Sequence, residues 1–222
     1  MKVSVIIPVY NEMETAYELI ERVKKSAALD KEIIVVDDGS TDGTYEILNT
    51  ISGIKLLRHT NNMGKGAAIR TALKHVSGEV IIIQDADLEY SPKDYSKLLT
   101  PIETGKAKVV YGSRFKGAGK FTSLSFIANK VLTGLTNFLY SAKLTDMETC
   151  YKCIKRNVIN SLSLKSNRFE IEPELTAKLL VKGYKILEVP ISYHSRTRFK
   201  KIGPRDGLHA IFTLIKWRCL AK

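Results

Sequence analysis

Four apolar residues, Val80 to Ile83, run without a break and then meet Gln84-Asp85-Ala86-Asp87. A short unbroken run of β-branched residues reads as a strand buried on both faces, the kind found in a sheet covered by helices. Two carboxylates one residue apart cannot follow that strand into an apolar core unpaired. They belong at the carboxyl edge of the sheet, where open α/β folds bind their ligands. Asp85 and Asp87, with Glu89 close behind, offer hard oxygen donors that suit Mg²⁺ or Mn²⁺. Such a cation would in turn hold a diphosphate. A solvated acidic turn is the bland alternative, and Asp-x-Asp alone does not choose between the two.

The chain around this stretch alternates strand and helix. Lys2 to Val9 is the first expected strand; Asn11 follows as a helix N-cap, with Glu14 completing a capping box. Glu32 to Val36 is a second buried strand ending in DDGSTDGT, and Ile54 to Leu57 a third. NNMGKGAAIR then opens a helix on a Gly-Lys-Gly loop, for which Gly78 fits the C-cap. Ser91-Pro92 starts a helix that Gly105 ends, and Lys108 to Tyr111 is a fifth strand running into GSRF. This alternation predicts an α/β fold: a doubly wound, mostly parallel, Rossmann-like sheet with helices on both faces. Asn11-Glu12, Asp37-Asp38 and Asp85-Asp87 all follow strand carboxyl ends, so one pocket should collect them.

Phe121 to Tyr140 carries a long helical pattern with Leu124, Ile127, Ala128, Val131, Leu132 and Leu135. TDMETCYK, a helix opened by RFEIEPEL, an edge strand over Ile186 to Ile191 that includes Pro190, the basic stretch SYHSRTRFKK and a last helix capped by Asp206 complete the chain. No linker rich in Pro, Gly or Ser divides it, so 1–222 reads as one catalytic domain, with 196–222 a basic loop and terminal helix.

Bulk properties narrow the partners. The formal charge of +12 points to an anionic partner. Aromatic residues are not interleaved with the basic ones as base-stacking platforms would be, so no nucleic acid is expected. Three cysteines with one C-x-x-C read as reduced cytosolic thiols. MKVSVIIPVY passes from one lysine straight into a strand pattern, so no signal peptide is expected. No apolar run approaches the roughly 18 to 20 residues of a bilayer span.

IIPVYNE, DDGSTDGT, NMGKGAAIR, DADLEY and GSRF, in this order and spacing, resemble family 2 glycosyltransferases, and more closely the dolichyl-phosphate and polyprenyl-phosphate sugar synthases. TDMETCYK, FEIEPEL and VPISYHSRT continue the likeness into the second half. The resemblance implies a glycosyltransferase A-type fold, a GDP- or UDP-sugar donor, a Mg²⁺ or Mn²⁺ ion and inversion at the sugar carbon. By motif position, Pro8, Tyr10 and Glu12 would line the nucleoside pocket, and Val36 and Asp38 would hold the base or ribose. Gly64 and Lys65 would lie beside the nucleotide. Asp85, Ala86, Asp87 and Glu89 would take the metal and diphosphate. Arg114 would meet phosphate, and Arg196 with Lys200 or Lys201 would close over the diphosphate. The chain has Glu89 where mannose synthases often have Gln. It also lacks an arginine between Phe121 and Tyr140, which leaves Lys120 and Lys130 as basic candidates for the acceptor.

The chemistry this implies is a hexose transfer in which charge builds on a leaving nucleoside diphosphate. A cation on Asp85 and Asp87, with Asp87 catalytic, would neutralise it, and Arg196 would add fixed positive charge. A lipid phosphate acceptor is already ionised near pH 7, with a second pKa near 6, and needs no general base. A hydroxyl acceptor would need one, and Asp146 is then the candidate. A sugar nucleotidyltransferase shares the metal logic and is a remoter alternative. Cationic Arg196 to Lys201 beside Leu208, Ile211, Phe212, Ile215 and Trp217 suits an anionic membrane surface. The expected location is therefore cytoplasmic and peripheral, on the cytosolic face of a membrane.

Overall fold

The structure, a computed structural model, describes residues 1–26, 30–117, 119–120, 123–195 and 203–220. Arg196, Lys200 and Lys201, three of the expected donor-site residues, lie outside the described residues.

The expected strands form one seven-stranded sheet. β1 (Lys2–Val9), β2 (Asp30–Asp37), β3 (Lys55–Arg58) and β4 (Val80–Ile83) are mutually parallel. Beyond β4 lie β7 (Lys152–Lys155), β5 (Val109–Ser113) and β8 (Leu187–Pro190), giving the order β3-β2-β1-β4-β7-β5-β8. β7 runs antiparallel to both neighbours, while β5 and β8 are parallel. The antiparallel strand has a consequence for the site. Residues 145–151, which lead into β7, arrive at the same edge as the residues that leave β4 and β5. β6 (Gly119–Lys120) and β9 (Tyr193–His194) pair as a short ribbon, and Tyr193 bridges to Tyr90 beside that edge.

Two apolar clusters hold the helices. The large one joins both faces of β1, β2, β4 and β5 to α1 (Ala16–Lys24), α2 (Thr44–Asn49), α3 (Lys65–Leu73), α4 (Tyr95–Glu103) and α6 (Arg156–Asn160). Val80 to Ile83 are all buried, as an unbroken apolar run requires. The small cluster joins α5 (Ser123–Tyr140), α7 (Ile171–Val181) and α8 (Pro204–Cys219) through Leu132, Met147, Ala177, Ala210 and Leu214.

Two local expectations are corrected. Asn11 is not the N-cap of α1, which begins at Ala16. Asn11 instead takes φ +47, and its Oδ1 accepts from Thr41 N (2.9 Å) while its own N donates to Ser40 Oγ (2.9 Å). The loop after β1 is thus stitched to the loop after β2 before the helix starts. Gly78 does not cap α3, which ends at Leu73. It sits against β1, where an added Cβ would meet Ser4 N and Oγ at 2.7 Å, so its lack of a side chain serves the entry to β4.

Candidate active site

The acidic turn begins from a fixed point. Gln84 is wholly buried, its Oε1 accepting from Tyr151 Oη (2.7 Å) and Tyr95 Oη (2.9 Å), and its Nε2 donating to Asp85 O (2.9 Å). Two residues after Ala86, which is buried, Leu88 adopts φ +61. That conformation is uncommon outside glycine and is held where surrounding structure over-determines it. Glu89 N donates to Asp87 Oδ1 at 3.2 Å across this bend. The turn keeps the carboxylates of Asp85 and Asp87 half-buried at the sheet edge. Glu89 is turned away toward β9, where its Oε2 accepts from Tyr193 Oη (2.7 Å). No group of three metal-type side chains converges among the described residues.

Lys65, at the first turn of α3, ties this edge to α7. Its Nζ lies 2.7 Å from Asp85 Oδ1 and 2.9 Å from Glu172 Oε1, and Lys152 Nζ lies 2.6 Å from Glu172 Oε2. Asp85, Lys65, Glu172 and Lys152 therefore form a chain of alternating charge. Burial on its own lowers the Lys65 pKa, but Asp85 and Glu172 outweigh it and hold the ammonium well above its ordinary value. For Glu172 burial acts upward, and Lys152 and Lys65 bring the carboxyl below its ordinary value. FEIEPEL puts only Glu172 of its three acids here. Glu174 turns to Lys178 (2.5 Å) and the amides of Lys165 and Ser166, and Glu170 to the amides of Asn167 and Arg168.

Asp38 sits at the end of β2 and is buried. Its Oδ2 accepts from Gly64 N (2.7 Å), its Oδ1 from Met63 N (2.9 Å), and His59 Nδ1 lies 2.7 Å from Oδ1. His59 Nε2 reaches Thr71 Oγ1 on α3 at 2.9 Å. Asp38 thus anchors the Gly-Lys-Gly loop and aims Lys65. The glycines of that loop answer to protein packing. Gly64 has φ +97, and Cβ atoms at Gly64 and Gly66 would each lie 2.5 Å from a carbonyl oxygen of residues 166–167. Pro8 and Val36 face each other in register across β1 and β2, with Val36 wholly buried and Pro8 half-buried. Tyr10 is half-buried just beyond, and the buried Glu12 donates its N to Thr44 Oγ1 (2.9 Å) and accepts from Thr15 Oγ1 (2.9 Å).

The far side of the edge is built on Arg114 and Asp146. Arg114 Nε and Nη2 donate to Asp146 Oδ2 and Oδ1, each at 2.7 Å, and the Arg114 backbone N donates to Oδ2 at 2.9 Å. Nη2 also reaches Asn129 Oδ1 on α5 (3.1 Å), and the guanidinium carbon lies 5.1 Å from the Tyr193 ring centre. Glu188 on β8 accepts from the N and Oγ1 of Thr145 and from Asp146 N, fixing that loop in turn. With both oxygens committed and no exposed surface, Asp146 positions Arg114 rather than standing ready to take a proton. Lys130, on α5, lies with its Nζ 4.0 Å from the Phe115 ring centre beside this pair.

Sequence reasoning brought most of these residues to one edge and missed their partners. His59 lies outside the motifs, and Lys152 and Tyr193 lie within TDMETCYK and VPISYHSRT without a role assigned by sequence, because each is defined by what it meets across the fold.

Comparison with known proteins bears on the family and the fold. A model of the family described as Glycosyl transferase family 2 matches residues 4–162. The dolichol-phosphate mannosyltransferase of Pyrococcus furiosus is 32% identical, over 98% of this chain and 64% of that protein. Glycosyltransferase AglJ of Haloferax volcanii is 28% identical, over 87% and 63%. The polyprenol monophosphomannose synthase of Mycolicibacterium smegmatis is 27% identical, over 96% and 85%. The chain therefore spans just under two-thirds of the length of the first two. Among solved structures, glucosyl-3-phosphoglycerate synthase from Mycobacterium tuberculosis in complex with UDP superposes with a TM-score of 0.79 at 20% identity, covering 98% of this chain and 80% of that one. The same enzyme with Mn²⁺, UDP and phosphoglyceric acid superposes at 0.76 and 22%, over 98% and 78%. The shared fold is the glycosyltransferase A-type expected from the sequence.

Proposed function

The chain belongs to glycosyl transferase family 2, and from that premise we propose that it moves a hexose from a GDP- or UDP-sugar to a polyprenyl phosphate, with inversion at the sugar carbon. The observation that carries this reading is the charged edge itself. Asp85 and Asp87 follow the end of β4, Lys65 is fixed beside Asp85, and Arg114 follows the end of β5 at the same sheet edge. The relatives whose names specify a dolichol or polyprenol phosphate lend the acceptor. The acceptor phosphate oxygen would form the new bond to the sugar carbon as the bond to the donor diphosphate breaks, its electron pair leaving with the nucleoside diphosphate.

The donor set suits Mg²⁺ or Mn²⁺. Mg²⁺ is usually held by one or two carboxylates together with substrate phosphates rather than by an all-protein cage, so Asp85 and Asp87 suffice as protein ligands. Two neighbouring structures were obtained with Mn²⁺ and UDP, which supports the same choice. When bound, the cation would supply Lewis-acid neutralisation of the leaving diphosphate. Lys65 holds Asp85 in place and adds a second positive charge at the same edge. Arg114, oriented by Asp146, offers its charge on the acceptor side. The hydroxyl-acceptor alternative relied on Asp146 as base. Its bidentate pairing with Arg114 removes the support for that role and favours an acceptor that arrives ionised.

The acceptor implies a membrane surface. No helix among the described residues is long and apolar enough to cross a membrane. α5 and α8 instead pack side by side and turn apolar residues outward, which supports peripheral attachment to a membrane surface.

The test is direct. Purified protein with GDP-mannose or UDP-glucose, Mn²⁺ and a short polyprenyl phosphate should release nucleoside diphosphate and form a glycolipid. Asp87→Ala should keep its fold by circular dichroism and lose at least about a hundredfold in rate, the scale expected when charge stabilisation of the transition state is removed. Undiminished transfer in excess chelator would remove the metal. Pyrophosphate release from a sugar phosphate and a nucleoside triphosphate would reassign the chain as a nucleotidyltransferase.

A further inference from the structure

Glu148 lies in TDMETCYK, three residues before the first tyrosine and four before β7, on the segment that enters at the sheet's carboxyl edge. The backbone on either side is pinned. Met147 N donates to Thr133 Oγ1 (3.1 Å), Thr149 Oγ1 to Gly112 O (2.6 Å), and Cys150 N to Tyr90 Oη (3.1 Å). Between these anchors the Glu148 carboxyl is set among four charged groups, Lys152, Glu172, Arg114 and Asp146. The two cations are already engaged: Arg114 by Asp146 and Lys152 by Glu172. Glu148 Oε1 is buried and has no hydrogen-bond partner, although the residue as a whole is only half-buried and so reachable from the edge. Burial, together with Glu172 and Asp146, pushes the carboxyl up to about 7 against the pull of Lys152 and Arg114.

A buried carboxyl oxygen without a partner carries its full desolvation penalty, and native structures rarely leave one without a reason. Its neighbours identify the reason. Among them, Glu172 ends the Asp85–Lys65–Glu172 chain, where the donor diphosphate belongs, and Arg114 with Asp146 is assigned above to the acceptor. What lies between a leaving diphosphate and an incoming phosphate is the sugar. A third fixed cation would suit phosphate there; an accepting oxygen suits a hydroxyl.

We propose that Glu148 receives a hydroxyl of the transferred hexose and so helps to set which sugar is accepted. The inference rests on the glycosyl-transfer reading above. It assigns the carboxyl oxygen as a hydrogen-bond acceptor in the bound donor, with no proton transferred and no covalent bond made. A hexose whose hydroxyl at that carbon points the other way leaves Oε1 buried and unmet, which is how a polar pocket rejects a near-identical sugar.

Binding measurements separate the possibilities without requiring turnover. Calorimetry with Mn²⁺ would give dissociation constants for UDP and UDP-glucose, and for GDP and GDP-mannose, on the wild-type chain, Glu148→Ala and Glu148→Gln. In the series that binds, Glu148→Ala should weaken the nucleotide-sugar about tenfold, as loss of one hydrogen bond to a charged group implies, and leave the matching nucleoside diphosphate unchanged. Glu148→Gln keeps the volume and one accepting oxygen, so it should weaken the nucleotide-sugar less. It also carries the test if the alanine variant does not fold. A donor lacking the contacted hydroxyl should bind the wild type more weakly and the alanine variant no more weakly than the parent donor does. Equal losses for diphosphate and sugar nucleotide, or no loss for either, would overturn the inference and leave the glycosyl-transfer reading intact. No binding of any of the four nucleotides to the wild type would overturn both.

Discussion

Asp38 shows how one side chain positions a site from beneath. It accepts two backbone N–H groups from the Gly-Lys-Gly loop and faces His59, so the loop that presents Lys65 hangs from a single carboxylate. Asp38→Ala would orphan the amides of Met63 and Gly64. At roughly 1–3 kcal/mol for each buried donor left unmet, the expected loss for the two is about 2–6 kcal/mol in denaturant unfolding. A change under about 0.5 kcal/mol would mean that the loop is held elsewhere. Glu148 gives a second expectation at this scale, in pH. Its folded pKa of about 7 stands above the ordinary 4.5, so the folded state holds an extra proton between those values. The associated stability is full below 4.5 and is lost as pH rises through about 7, at up to about 1.4 kcal/mol per unit. Glu148→Gln does not titrate. Its stability relative to wild type should therefore rise from pH 5 to pH 8. Parallel curves would show that the carboxyl is not perturbed. The sequence made Asp38 and the Asp85-Asp87 pair legible because a carboxylate at the end of a buried strand has few places to go. It could not show that Asp38 faces inward, since His59 and Gly64 reach it only once α3 has packed beneath residues 166–167.

At the scale of elements, α5 and α8 carry two seams each. Leu132 and Thr136 on α5, and Ala210 and Leu214 on α8, face the core between the helices. A second α5 row of Ile127, Val131, Gly134 and Phe138 is exposed, with Val131 58% and Phe138 83% accessible. On α8 the exposed row is Leu208, Phe212, Ile215 and Cys219, at the same spacing of four, three and four residues. Periodicity found both helices and mixed the two rows, because a helix apolar on most sides does not tell a core from a second surface. α5 contains no acidic residue and α8 only Asp206, while Lys130, Arg205, Lys216 and Arg218 lie alongside. An apolar face edged by cations suits an anionic lipid interface. The two seams predict opposite phenotypes. Phe138→Ser with Phe212→Ser should leave stability within about 0.5 kcal/mol, as exposed substitutions do, and reduce co-sedimentation with anionic vesicles at low salt. Leu132→Ala or Leu214→Ala should cost about 2–5 kcal/mol as core truncations. If the paired serine variant sediments like wild type, the outward row does not meet lipid. A wild-type chain that forms dimers, dissociated by the same serines, would assign the row to a second copy instead.

For the whole molecule, the net charge of +12 coexists with an edge where carboxylates are concentrated. Asp85 and Asp87 are two residues apart, Lys65 joins Asp85 to Glu172, Lys152 pairs with Glu172, and Glu148 lies in the field of Lys152 and Glu172. A bare nucleoside diphosphate would meet these carboxylates as like charge; with a divalent cation it would arrive largely neutralised, with Asp87 as the proposed ligand. Nucleotide and metal should therefore bind as a unit, and stability should report it by mass action. At a hundred times the dissociation constant the gain is about 2.7 kcal/mol. For a chain of this length each kcal/mol moves the melting temperature by roughly 2–4 °C, so the preferred nucleoside diphosphate with Mn²⁺ should raise it by about 5–10 °C. The same nucleotide in chelator should give a small part of that shift, and Mn²⁺ alone very little. Asp87→Ala should erase the difference between the metal and chelator arms while keeping its own baseline melting temperature. A full shift in chelator would mean that Lys65 and the other cations at the edge neutralise the diphosphate unaided, and Asp85 would then serve to hold Lys65 rather than a metal.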